Sequence, residues 1–269
     1  TGTYETSDGM YDGPPGAWEV GASIGCINSV PSPFKTSAAL GHAVELCLAA
    51  VPSGENCCSA GGADCGAACA TDMPDWDVSL VTSMEDLFSD KYDFNQDISR
   101  WKTSNVKSMR QMFSQAQSFT ASDLADWNVG KVKDMNGMFQ YGGGFSNLDL
   151  SRWNVGEVTD MGYMFSEARG FNSDISGWDV SKVTGMYSMF EKAVAFSQDI
   201  TGWSFDDSGY ADQYYDPDHT YVYTERMFSG ATAFFGSYTN CGYDDSDTDV
   251  CTGTYETSDG MYDGPPGAW

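Results

Sequence analysis

Tryptophans recur at Trp76, Trp101, Trp127, Trp153, Trp178 and Trp203, spaced 25 or 26 residues apart. Each heads the same pattern. Val stands five residues on, Met eight on, a Met-Phe or Leu-Phe pair eleven and twelve on (Phe88, Phe113, Phe139, Phe165, Phe190), and Phe eighteen on. A period of this length constrains the fold more than any other feature, because one unit cannot bury its own Trp, Met and Phe. Stacked on its neighbours it can, and the buried faces then join into one core. Each large side chain so buried contributes roughly 1.5–3 kcal/mol. A sixth unit is interrupted: a thirteen-residue insertion near "DDSGYADQYYDPD" separates Trp203 from "RMFSGATAFF", where Met227, Phe228, Ala231 and Phe234 resume the frame.

Within a unit the apolar positions recur at intervals of three or four, which predicts one face of a short helix. The preceding "D-I-S-x-W-x-V" is rich in strand formers and too short for a helix. The expected architecture is therefore α/β, a leucine-rich-repeat-like solenoid of about six coils, roughly 25–30 Å long at the usual strand spacing. Residues 1–71 are expected to form a Cys-rich cap and linker, 72–235 the solenoid, and 236–251 an acidic disulfide loop. The candidate structural core is the six tryptophans with Phe113, Phe139, Phe165 and Phe190. "KTSAALGHAVELCLAAV" reads as an amphipathic helix with Thr36 or Ser37 as N-cap, carrying His42 and belonging to the cap.

The units "FNQDISRWKTSNVKSMRQMFSQAQSF" and "FNSDISGWDVSKVTGMYSMFEKAVAF" resemble those of the BspA-like leucine-rich-repeat surface proteins, also called the Mycoplasma-lipoprotein-type repeat. The resemblance spans Asp72 to Phe235. It implies a secreted or surface-anchored protein, often adhesive and not enzymatic.

Residues 1–18, "TGTYETSDGMYDGPPGAW", return without a substitution at 252–269. The coils share only a pattern, whereas these two segments share every residue. A module of 251 residues recurring in tandem is the expectation, with 252–269 as the start of the next copy. Tyr255, Tyr262 and Trp269 would then cover the open end of the last coil, as Tyr4, Tyr11 and Trp18 would do one module earlier. A head-to-tail contact that does not close into a ring propagates as a filament.

Charge narrows the partners. Asp and Glu number 39 against 13 Lys and Arg, a net charge of −26. Such a surface repels nucleic acid and anionic membrane, and no apolar run is long enough to span a bilayer. Copies of the chain, glycans or surface proteins remain as partners. Eight cysteines, Cys26, Cys47, Cys57, Cys58, Cys65, Cys69, Cys241 and Cys251, include no C-x-x-C pair and accompany only two histidines, His42 and His219. Disulfides and an extracellular or cell-surface location are expected in place of zinc. Only Cys241–Cys251 is assigned as a pair; the other six cysteines allow several connectivities. No N-x-[ST] sequon occurs, so N-glycans are not expected.

Three patterns are candidates for chemistry. An Asp precedes each Trp by four residues (Asp72, Asp97, Asp123, Asp149, Asp174, Asp199). Stacked like charges need compensation, either from backbone N–H groups at a turn or from a row of calcium ions. In "DSDTDVCTGTYE", Asp245, Asp247, Asp249 and Glu256 stand at loop positions 1, 3, 5 and 12 of a calcium-binding loop, with Val250 where Gly is required; the alternative is a solvated acidic loop. "GASIG" places Ser23 in a G-x-S-x-G pattern, but the Pro-rich run after it does not suit a nucleophile elbow. No enzyme is expected. The leading expectation is a structural filament module. The alternative is an adhesin or receptor binding protein or glycan, using the solenoid face or the 206–223 loop with Tyr210, Tyr214, Tyr215, Tyr221 and Tyr223.

Overall fold

A computed structural model describes residues 30–120, 124–204 and 226–237. Two parts meet in it: a cap built around helix α1 (Ser37–Ala50) and the repeats that follow. A short helix α2 (Thr232–Ser237) closes the described chain. The Thr36 hydroxyl accepts the Ala39 N–H at 3.1 Å and starts α1, satisfying a donor that the helix cannot use internally. Leu40, Ala43, Val44, Cys47 and Leu48 form its buried face, while His42 is exposed. The Cys47–Cys57 disulfide ties α1 to the loop behind it, and Cys58–Cys65 closes that loop on itself. Cys69 is also disulfide-bonded, to a partner outside the described residues.

From Trp76 onward each repeat lies against the next. The tryptophans are buried, none more than 4% exposed. The Phe twelve residues after each of the first five of these tryptophans, with Phe228 taking the place after the insertion, forms a column, Phe88–Phe113–Phe139–Phe165–Phe190–Phe228, with ring centres 5.5–5.7 Å apart and planes within 10° of parallel. Each indole N–H reaches back to the previous repeat. Trp101 donates to the Met73 carbonyl, Trp127 to Ile98, Trp153 to Leu124, Trp178 to Leu150 and Trp203 to Ile175, at 2.8–3.1 Å. A second column, eighteen residues after each Trp, is interrupted at Phe145, which stands edge-on to Phe139 at 71°. The glycines before it make this possible. A Cβ on Gly142 would sit 1.6 Å from the Phe145 ring, and one on Gly144 would sit 2.4 Å from the Phe119 carbonyl oxygen.

The segment expected to be a short helix in each unit is instead a run of tight turns. Alternate N–H groups point along the stack: Met84, Asp86, Phe88 and Asp90 donate to the carbonyls of Ser108, Arg110, Met112 and Ser114 in the next repeat. The intervening Leu87, Ser89 and Lys91 close turns on the residues three before them. An α-helix would consume all of these groups internally. The alternation needs a left-handed residue every fourth position, supplied by Asp86 and Asp90 at φ 54° and 60°, and by Gln111 and Gln115, Tyr163 and Glu167, and Ser188 and Lys192 in later repeats. A four-residue turn brings back apolar residues at nearly the helical interval, so the two conformations write similar patterns. Where parallel pairing occurs among the described residues it is confined to single-residue bridges, running Ser83, Ser108, Asp134, Asp160, Gly185.

The cap supplies what a preceding repeat would. The Phe34 ring lies 5.2 Å from that of Trp76. The Phe34 N–H donates to the Asp77 carbonyl at 2.9 Å, the Ser83 N–H to the Ser37 hydroxyl at 3.0 Å, and the Trp76 indole to the Thr71 carbonyl at 2.7 Å. The first repeat is therefore sealed on its N-terminal side.

Candidate functional site

With the core consumed by packing, chemistry is left to the outer rows, which the repeat brings into register. The Asp row before the tryptophans is held by local turns. Asp97 accepts the Ser99 N–H, Asp149 the Ser151 N–H, Asp174 the Ser176 N–H and Asp199 the Thr201 N–H, each at 3.0 Å. The hydroxyls of Ser151, Ser176 and Thr201 add a second bond at 2.7 Å. These bonds hold the carboxyls of Asp149, Asp174 and Asp199 below the usual range, against the repulsion of Asp149 on Asp174. Asp72 differs: it turns to the cap and accepts the N–H groups of Cys58 and Ser59 at 3.1 and 3.0 Å. Asp123 lies outside the described residues.

A second row crosses the turn face. The Asn136 amide, 8% exposed, donates to both oxygens of Asp160 at 3.2 and 3.3 Å and to the Tyr187 hydroxyl at 3.2 Å. Burial pushes the neighbouring Asp134 carboxyl up, and the Asp160 charge adds to the effect. Tyr163 and Tyr187 meet edge to face at 4.7 Å. Sequence reasoning missed this cluster; the signal was the pair Asp134 and Asp160 where earlier repeats carry Ser83 and Ser108.

Ion pairs stitch repeat to repeat on the rim. Arg100 meets Asp75 at 2.6 Å, Arg152 meets Asp126 at 2.7 Å, Lys182 meets Glu157 at 2.5 Å and Lys192 meets Glu167 at 2.6 Å, with Arg226 on Glu191. Exposed pairs of this kind are worth about 0–1 kcal/mol each, so they set register more than stability. An open groove lies beside Arg100, Lys102, Ser104, Asp126 and Asn128.

In the cap, the sulfurs of Cys47, Cys57 and Cys58 lie within 4.8 Å of one another. They are spent in disulfides, so they present no thiolate to a metal. The remaining sequence candidates lie outside the described residues: Asp245, Asp247, Asp249 and Glu256; Cys26, Cys241 and Cys251; Ser23; the tyrosines of 206–223; and Tyr4, Tyr11, Trp18, Tyr255, Tyr262 and Trp269. No helix among the described residues is long and apolar enough to cross a membrane.

No curated protein and no solved structure matches the chain significantly. One family model matches residues 63–149 and 120–240, together about two thirds of the 269 residues. The match spans the stacked repeats and their junction with the cap, and by it the chain belongs to the family described as Mycoplasma protein of unknown function, DUF285.

Proposed function

We propose that this chain is a structural, non-enzymatic module of an extracellular filament or cell-surface appendage, assembling head to tail with copies of itself. In this reading the stack is an α/β, leucine-rich-repeat-like solenoid of the BspA-like surface type, with residues 1–71 as its cap. The observation that carries it is the self-similar aromatic column: Phe88, Phe113, Phe139, Phe165, Phe190 and Phe228 keep one spacing, 5.5–5.7 Å, from layer to layer. Stacks of equivalent layers grow by adding layers of the same kind. The duplicated segment supplies Tyr255, Tyr262 and Trp269 for that role. Disulfides in the cap support an oxidising, extracellular setting.

Electron microscopy of native material tests this reading. Fibres with an axial repeat of one module are expected; monodisperse single modules under all conditions would end it. The second reading, an adhesin for protein or glycan that uses calcium on Asp245, Asp247, Asp249 and Glu256, is favoured by the exposed Tyr92 and Tyr141, 49% and 45% accessible. Array binding lost on deleting 206–223 or on Tyr92→Ala with Tyr141→Ala would support that reading.

A further inference from the structure

The charge of this molecule is unevenly placed. Residues 100–133 hold six of the thirteen cations (Arg100, Lys102, Lys107, Arg110, Lys131, Lys133) and two of the 39 acids (Asp123, Asp126). Their local balance is +4, which leaves −30 on the remainder. Arg100 and Arg110 are engaged with Asp75 and Glu85 of the preceding repeat, and Asp126 is drawn to Arg152 of the following one. The four lysines are exposed, and none lies within 4.0 Å of a carboxylate among the described residues. Lys131 donates instead to the neutral Asn105 amide oxygen at 2.9 Å. Asp77 and Glu157 feel Lys102 and Lys133 only at longer range.

Two of these lysines form a ladder. The Lys133 N–H donates to the Lys107 carbonyl at 2.8 Å, so these two side chains leave the same row one repeat apart. Neighbouring lysines that no carboxylate among the described residues approaches within 4.0 Å repel each other with only longer-range compensation. The opposite ladder stands elsewhere on the stack. Asp149, Asp174 and Asp199 are exposed, also one repeat apart, and fixed by their bonds to Ser151, Ser176 and Thr201. Both ladders take their pitch from the same stacking distance. Two stacks laid side by side can therefore match charge to charge over successive repeats.

We infer that the lysines of two adjacent repeats, Lys107 and Lys133 in one row with Lys102 and Lys131 near them in sequence, are a lateral docking surface for the aspartate ladder Asp149, Asp174 and Asp199 of a second copy of this chain. A long polyanion fits less well. The positive band spans two repeats, about 10 Å at strand spacing, close to the Debye length of about 8 Å in physiological salt. A longer chain would run onto acidic repeats on either side. This contact is separate from the head-to-tail one: it sets the width of an assembly, not its length.

The test uses the full chain at physiological salt, reading the width of assemblies by electron microscopy and mass by sedimentation. The wild type is expected to associate laterally. Lys107→Asp with Lys133→Asp should weaken lateral association at least tenfold, with thermal unfolding unchanged and head-to-tail rods persisting at single width; Asp174→Lys with Asp199→Lys should weaken it as much, with a lowered Tm from the lost turn bonds but the chain still folded. Mixing the two variants should restore association between them, because the reversed ladders again match. Variants that do not rescue one another, a wild type with no lateral association, or lysines that instead bind a sulfated polysaccharide while copies stay apart would each overturn the inference.

Discussion

The cap and the stack solve the same problem by different means. In the cap, order comes from a helix and covalent cross-links: α1 buries five side chains, and Cys47–Cys57 and Cys58–Cys65 close short loops behind it. In the stack, no cross-link is present among the described residues, and order comes from repetition. One indole bond, one ring contact and one ladder of backbone bonds recur in every layer. The difference teaches that the stack's stability is distributed among layers, so an interior layer matters through both of its neighbours. The cap's stability is local and sensitive to redox conditions.

The comparison can be broken most severely in the middle of the stack. Phe139 is fully buried and touches Phe113, Phe165, Phe145 and Trp153. Phe139→Ala should cost about 3–5 kcal/mol, seen as a lowered denaturant midpoint. Removing the Cys47–Cys57 bridge by paired Ala substitutions should cost about 2–3 kcal/mol, as expected for so short a loop. Protection by hydrogen exchange should then fall in residues 37–65 while the aromatic column holds. If the column loosened equally, cap and stack would be one cooperative unit. The left-handed turn residues rank next. Gln111, at φ 50°, should tolerate Gly, whereas Gln111→Val should cost about 1–2 kcal/mol.

The smallest effects depend on pH and differ in sign. Asp149, Asp174 and Asp199 have folded values below the ordinary Asp value. Their contribution is complete above the unfolded value near 3.9 and is lost as pH falls through the depressed folded values. Acid unfolding in a Ser151→Ala, Ser176→Ala, Thr201→Val triple variant should therefore begin at a higher pH than in the parent. Asp134 is raised by burial, so its ionisation opposes folding. Asp134→Asn should raise Tm at pH 7, and the gain should vanish below the ordinary Asp range.

What the sequence made legible follows from what repeats. The tryptophan, methionine and phenylalanine columns could be read because each layer restates them, and the Asp row because an Asp recurs four residues before each of the six repeat tryptophans. The conformation between them could not. Met84, Leu87 and Phe88 return at intervals that a helix and a run of turns both satisfy. The choice is made by hydrogen bonds to the next layer, which no single unit contains. Asp86, Gln111 and Tyr163 carry the left-handed turns without a glycine to mark them. The pairing of Cys47 with Cys57 depended on the return path after α1, which spacing alone does not specify. Lys107 and Lys133 were visible as residues, but their adjacency across one layer appears only once the register is known.

The proposed head-to-tail assembly requires that modules follow one another along the axis of the column. The most direct measurement is the axial repeat of native assemblies by electron microscopy. Continuous fibres with an axial repeat of one module, α1 recurring once in every repeat, are predicted. Isolated modules at every concentration and salt, each with a finished C-terminal end, would contradict it.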